Sequence, residues 1–264
     1  MKTKLLFLVI FLFIIVQAFA QNPLVGTWQM QTDTDTIRSF KIITPTHWML
    51  YTESVKGDSS KFIVSGGGTY TLNGNKYIET IQIGSWEDYG KEKTDYTYKV
   101  DGDKFYQKGT LILGDGTKVP IDEIWQKVKL EKSFATNPSI GTWNQLSSSY
   151  TMADGKKDSH TNATATRFQV ITPTHWIRIS HRNKKFENAM CGTYTMQGNK
   201  IYPKLEFASF PINKGDKVEI TQRVENNKLY WDGTIKDANG KTTLTFSDVF
   251  QKVTGKTNKA VAVK

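Results

Sequence analysis

Cysteine is nearly absent from the 264-residue chain and histidine is sparse, at one and four residues. With Cys191 alone, no intramolecular disulfide can close and no multi-thiolate metal site can form, so a stable core has to come from apolar burial. His47, His160, His175 and His181 are too few and too scattered for a His-rich metal cage. Also missing are a Ser/His/Asp nucleophile elbow, a phosphate-cradling glycine loop and a dinucleotide fingerprint. Gly66-Gly67-Gly68 is not followed by the helix pattern such sites require. No segment reads as an amphipathic helix, and no RNP-like or helix-turn-helix pattern is present, which argues against nucleic acid as a partner. What remains is a globular composition, 38% hydrophobic and 12% aromatic.

The first residues stand apart from the rest. Lys2 and Lys4 precede an apolar run over 5–16, then Ala18-Phe19-Ala20, the three-part pattern of a secretory signal with cleavage expected before Gln21. The apolar run is only about a dozen residues, short of the roughly 20 that span a bilayer. No cysteine follows the cleavage position to carry a lipid. The expectation is a secreted or periplasmic protein with no integral membrane span once the signal at 1–20 is removed. Charges on both faces of the later segments leave no lipid-facing band for an outer-membrane barrel.

From Asn22 onward the chain repeats itself. Asn22-Pro23-Leu24-Val25-Gly26-Thr27-Trp28 returns as Asn137-Pro138-Ser139-Ile140-Gly141-Thr142-Trp143, and the string over 43–48 returns unchanged over 171–176. Gly68-Thr69-Tyr70-Thr71 returns at 192–195, and Gln126-Lys127-Val128 at 251–253. The spacings between copies, 115, 128, 124 and 125 residues, place an insertion in the second copy between Trp143 and Phe168 and a smaller deletion before Gly192. Each unit is too long for a solenoid repeat and large enough for a domain. The units are read as 22–130 and 137–254, with 255–264 a loosely held tail. The formal charge of +10 divides unevenly: residues 21–135 hold 14 Lys/Arg against 15 Asp/Glu, and residues 136–264 hold 19 against 10.

Both units read as all-β. The first offers eight short runs rich in Thr, Tyr, Val, Ile and Trp, over 26–32, 37–43, 47–54, 62–72, 77–83, 95–100, 104–113 and 121–128. The second offers eight as well. Asn73-Gly74-Asn75 and Asp101-Gly102-Asp103 are hairpin turn signals, and Gly66-Gly67-Gly68 inside a strand predicts a bulge or corner. Sequential antiparallel hairpins close most economically as an up-and-down barrel, so the predicted fold is two tandem eight-stranded antiparallel barrels, with a two-sheet sandwich as the alternative.

Gly26-Thr27-Trp28 and Gly141-Thr142-Trp143, each opening a strand-rich copy, resemble the Gly-x-Trp signature of lipocalins and the wider calycin group. Thr-Pro-Thr-His-Trp, Gly-Gly-Gly-Thr-Tyr-Thr and Pro120-Ile121-Asp122-Glu123-Ile124-Trp125 are similar to strings of exported, single-domain lipocalin-like bacterial proteins. The resemblance implies a lipocalin-like barrel whose floor is plugged by the Trp, and it implies little about a ligand. Copy two departs from the pattern, with Ile201-Tyr202-Pro203 for Tyr77-Ile78-Glu79 and Ser247-Asp248-Val249-Phe250 for Asp122-Glu123-Ile124-Trp125. If only one pocket has survived, the first barrel is therefore the expected one.

An eight-stranded barrel is either filled by side chains or holds one small ligand. Trp28, Tyr51, Tyr70, Tyr106 and Trp125 supply aromatic lining with polar tips, Tyr194 does so in the second copy, and Glu79 and Glu123 are two carboxylates that could face one cavity. His47 and His175 follow a Pro turn beside a Trp; capping that turn through backbone hydrogen bonds is the first reading, and contact with a ligand headgroup at the barrel mouth is the alternative that makes them site candidates. No cofactor is expected; a haem held by one of these histidines is the minority reading. The leading function is an exported, non-catalytic binding protein for a small, largely apolar molecule. Two alternatives remain: an enzyme acting through His47 and Glu79, and an adhesion or assembly module with filled barrels. Arg178, Arg182, Lys184 and Lys185 add a basic face on barrel 2, read first as a solvated surface, with an anionic glycan or surface partner as the alternative.

Overall fold

The computed structural model of the chain describes residues 22–31, 36–56, 59–129, 134–183, 185–210 and 215–254. The segment at 1–20 read as a signal, the segment at 255–264 read as a tail, and Lys184 lie outside the described residues. Among the described residues there are seventeen strands and no helix.

The first copy forms β1 (Gly26–Gln31), β2 (Ile37–Ile43), β3 (His47–Lys56), β4 (Ser59–Asn73), β5 (Lys76–Gly84), β6 (Lys93–Asp101), β7 (Lys104–Ile112) and β8 (Lys118–Lys127). Each strand pairs antiparallel with its chain neighbour, and β1 closes onto β8 through Trp28↔Lys127 to Gln31↔Ile124. The tight turns come from local chemistry: Gly74 takes a left-handed φ of 59° between β4 and β5, and its repeat partner Gly198 does the same at 59°. The predicted bulge is present, with the β4–β5 register slipping between Gly67 and Gly68. A Cβ on Gly68 would lie 1.9 Å from the Thr80 carbonyl oxygen, and one on Gly192 would lie 2.0 Å from that of Lys204, so both corners need a residue without a side chain.

The second copy forms β9 (Gly141–Met152), β10 (Lys157–Thr161), β11 (Ala165–Ile171), β12 (His175–Arg182), β13 (Lys185–Gln197), β14 (Lys200–Ala208), β15 (Lys217–Glu225), β16 (Lys228–Lys236) and β17 (Thr242–Lys252). It is also a closed eight-stranded barrel, sealed by β9 on β17. The ninth strand is a correction to the sequence reading. The insertion after Trp143 lengthens β9 and folds back as β10, which pairs with the far half of β9 while β11 takes the near half.

The two barrels pack side by side through their outer walls. Phe40, Ile42, Met49 and Tyr51 of β2 and β3 share one apolar core with Phe168, Val170, Ile177 and Ile179 of β11 and β12. The seam has a pseudo-twofold character. Thr27 Oγ1 meets Thr172 Oγ1 at 2.9 Å while the equivalent pair Thr44 and Thr142 meets at 3.2 Å. His47 packs on Phe168 and His175 on the equivalent Phe40, and Phe62 stacks on its own repeat partner Phe186 at 5.5 Å. These contacts made by one copy are returned by the other, as in an isologous interface, whereas the His181 Nε2 contact with the Gly84 carbonyl at 2.8 Å belongs to one side alone. Cys191, 2% exposed, lies in this seam, and burial pushes its thiol well above the ordinary range.

Candidate functional site

With β2 and β3 giving one face to the seam, strand alternation turns Ser39, Lys41, Trp48, Leu50 and Thr52 inward. Barrel 1 encloses a cavity of about 930 Å³ and barrel 2 one of about 830 Å³. The wall thins at the same place in both. β5 and β6 pair only through Lys76↔Thr97 and Tyr77↔Tyr96, and β14 and β15 only through Lys200↔Thr221 and Ile201↔Ile220. Beyond those pairs Trp86, Asp88 and Lys91 border the first cavity and Phe210, Asp216 and Lys217 the second. Both copies keep a pocket, so the choice between them that the sequence posed does not arise from shape.

The two floors are built alike. Trp28 Nε1 donates to the Leu24 carbonyl at 2.7 Å and Trp143 Nε1 to that of Ser139 at 2.7 Å. Tyr70 donates to the Thr44 carbonyl and accepts from Asn22, and Tyr194 repeats this with Thr172 and Asn137.

The polar interiors differ. In barrel 1 the buried Lys41 Nζ donates to Glu79 Oε1 at 3.0 Å and Gln107 Oε1 at 2.9 Å, and sits over the Trp125 ring at 4.9 Å. Tyr77 donates to Glu79 at 2.7 Å, and Trp125 Nε1 to Glu123 Oε2 at 3.1 Å. Burial pushes the Glu123 carboxyl above its usual range, with Glu79 adding to the rise and Lys41 and the Trp125 hydrogen bond opposing it. One cation thus faces two carboxylates, and each is held by other side chains of the wall.

Barrel 2 keeps the shape and exchanges the polar set. Gln169 stands where barrel 1 has Lys41, Trp231 where it has Gln107, Arg178 for Leu50, Pro203 for Glu79 and Asp248 for Glu123. Arg178 Nη1 is 3.9 Å from Asp248 Oδ2, beyond hydrogen-bond distance, and its Nε has no protein partner. Asp248 accepts a close hydrogen bond from Ser148. Arg167 Nη1 donates to Gln145 Oε1 at 3.1 Å and also to the Tyr150 hydroxyl. Trp176 Nε1, Trp231 Nε1, Ser180 Oγ and the Gln169 amide are buried without a protein partner.

The tryptophans make the contrast countable. The chain has seven. Five indole N–H groups have acceptors: those of Trp28 and Trp143 on the floors, Trp48 on the Thr69 carbonyl, Trp86 on Glu92 and Trp125 on Glu123. The other two, Trp176 and Trp231, both line the barrel 2 cavity. A buried indole N–H normally finds an acceptor, and leaving a donor unpaired costs about 1–3 kcal/mol.

The sequence-nominated residues scatter accordingly. Glu79, Glu123 and Trp125 line the first cavity and Tyr194 the second. Trp28 and Tyr70 are floor residues. Tyr106 is half-buried, next to the inward Phe105 and Gln107 and so on the outer face. Tyr51, His47 and His175 lie in the seam between barrels, a correction to the interior lining expected of Tyr51 and to the barrel mouth expected of the histidines. The imidazoles are 2% and 5% exposed, bond Thr46 and Thr174 through Nδ1, and are lowered to about 4 by burial. Each stacks on a phenylalanine of the other barrel, so neither position fits a haem, and His47 and Glu79 are on opposite sides of the wall. Arg178, read as part of a basic outer face, points inside. Lys41, Arg167 and Trp231 were not singled out from sequence; the available signal was phase, since Lys41 alternates with Ile43, and Arg178 with Trp176 and Ser180.

Among the described residues no group of three or more His, Cys, Asp or Glu side chains could hold a metal, and no helix is long and apolar enough to cross a membrane. No family model matches the chain, and no curated protein matches it. A solved protein of unknown function from the DUF3598 family of Nostoc punctiforme is similar over 88% of this chain and 97% of its own, at 10% identity and a TM-score of 0.24. The dehydratase domain of PpsC from Mycobacterium tuberculosis, solved with C12:1-CoA, is similar over 90% of this chain and 79% of its own, at 9% identity and a TM-score of 0.14.

Proposed function

We propose that the protein is an exported carrier or receptor of the lipocalin-like type, holding a small, largely apolar molecule without converting it, and that the cavity of barrel 2 is its site. The observation that carries this reading is a cavity of about 830 Å³ whose wall includes Trp176 and Trp231, two tryptophans with buried indole N–H groups that have no acceptor in the protein. An apolar wall with a few convergent polar groups is the usual makeup of a small-molecule site. Ile171, Met190, Ile220 and Phe246 supply that wall. The polar groups of barrel 1 satisfy one another, which suits a supporting domain. The test is native mass spectrometry of the mature chain after incubation with a panel of small hydrophobic molecules. One bound molecule per chain, lost in Trp176→Ala or Trp231→Ala and kept in Trp125→Ala, supports the reading. No uptake from the panel, or uptake lost only in Trp125→Ala, counts against it.

A further inference from the structure

Given a ligand site in barrel 2, the charges inside it specify the ligand. Arg167, Arg178 and Arg182 face Asp248 and Glu187. Glu187 is committed to Arg182 at 2.8 Å at the rim, and Asp248 to Ser148. Three arginines against two carboxylates leave one positive charge in excess, and of the two arginines that line the cavity Arg167 bonds Gln145 and Tyr150 while Arg178 reaches Asp248 only at 3.9 Å. Arg178 lies 6.0 Å over the Trp176 ring and 3.9 Å from Asp248, with which Trp231 is paired in register, so Arg178, Trp176 and Trp231 belong to one part of the cavity wall. Ser180 Oγ, also without a partner, is two residues along the same face of β12. Three of these groups can only donate. A ligand that brings one negative charge answers the excess guanidinium. A cation or a pure hydrocarbon does not.

We propose that barrel 2, and not barrel 1, takes a monoanionic amphiphile, a carboxylate-type head set against Arg178, Trp176 and Trp231 and an apolar body along the wall formed by Ile171, Met190 and Ile220. The planar guanidinium matches a carboxylate in shape, and a charge-assisted hydrogen bond is about twice as strong as a neutral one. Burial draws the Arg178 guanidinium down from its ordinary value, with Asp248 opposing the change and the neighbouring Arg167 adding to it. Barrel 1 has the opposite balance, Lys41 against Glu79 and Glu123, with the lysine occupied by its own hydrogen bonds. An anion entering there meets a carboxylate excess. The two copies are thus similar in shape and opposite in the charge they accept.

This inference rests on the site proposed above, and its test separates the two. Dodecanoate, dodecanol and dodecylamine, below their aggregation limits, are titrated calorimetrically into the mature chain, Arg178→Met, Arg178→Lys and Lys41→Met. The expected result is one dodecanoate per chain, bound about tenfold or more tighter than dodecanol, and weakest binding for the amine. Arg178→Met should bring dodecanoate to within about twofold of dodecanol, Arg178→Lys should keep part of the preference, and Lys41→Met should leave it unchanged. If dodecanol or the amine binds as tightly as dodecanoate to the unaltered chain, the charge assignment is wrong and the barrel 2 site still stands. If none of the three binds, the site itself is wrong for such ligands. If Arg178→Met does not fold, the dodecanoate-to-dodecanol ratio of the unaltered protein and Arg178→Lys still decides.

Discussion

Acid should loosen the seam between the barrels, and two histidines set how much. His47 and His175 are buried as neutral imidazoles on Phe168 and Phe40, with values near 4 against an ordinary 6.5. Their folded values lie below the unfolded one, so the unfolded chain binds more protons between pH 6.5 and about 4. The stability they allow is complete above pH 6.5 and is lost as pH falls through that window. At pH 5 the linkage amounts to about 2 kcal/mol per histidine, about 4 kcal/mol for the pair. With a urea slope of about 3 kcal/mol/M, that moves the midpoint by more than about 1 M. The assay is urea unfolding at pH 7 and pH 5 on the unaltered chain and on His47→Gln/His175→Gln, whose glutamines do not titrate. The variant should lose less stability on acidification, by that amount, since the carboxylates common to both cancel. Parallel pH dependences, or imidazole NMR signals at these positions titrating near 6.5, would refute the reasoning.

Three further outcomes follow from particular contacts. Gly68→Ala should destabilise barrel 1 by about 3 kcal/mol in thermal unfolding because its Cβ would run into the Thr80 carbonyl, whereas Gly74→Ala, with open space around it and only its left-handed φ to oppose a side chain, should cost about 1 kcal/mol. Lys41→Met should cost about 3–5 kcal/mol by stranding the buried Glu79, and adding Glu79→Gln should restore part of that; equal stability of the single and double variants would contradict the pairing. Trp28→Phe and Trp231→Phe remove the same ring volume, but only the first loses an indole hydrogen bond, so in the ligand-free protein it should cost about 1–2 kcal/mol more by urea denaturation.

Much of the fold was legible because strands announce themselves locally. Turn glycines and repeated strings located the eight strands of the first copy within a few residues, and the triple glycine marked the register slip at Gly67 and Gly68. The ninth strand was not legible, because an insertion says where chain is added and not what it pairs with. The site was harder, for a physical reason: on a strand, a one-residue change of phase exchanges inside and outside. Once β2 and β3 are known to bury both faces, their sequence explains itself. Phe40, Ile42, Met49 and Tyr51 alternate with Ile43, Trp48 and Leu50, and the same doubling in the second copy signals a wall covered on both sides. His47 belongs to the outer series and so to the seam. The excess positive charge of the second half was visible in composition; that part of it lies inside the barrel, on Arg167 and Arg178, depended on that same phase.

The site assignment is tested most directly by the seven indole N–H resonances of the mature chain during titration with the tightest binder among dodecanoate, dodecanol and dodecylamine. The account predicts that Trp176 and Trp231 move together and shift downfield as they gain an acceptor, while Trp28, Trp48 and Trp125 of barrel 1 stay in place. Shifts confined to Trp48 and Trp125, or a bound ligand that leaves Trp176 and Trp231 unmoved, would contradict it.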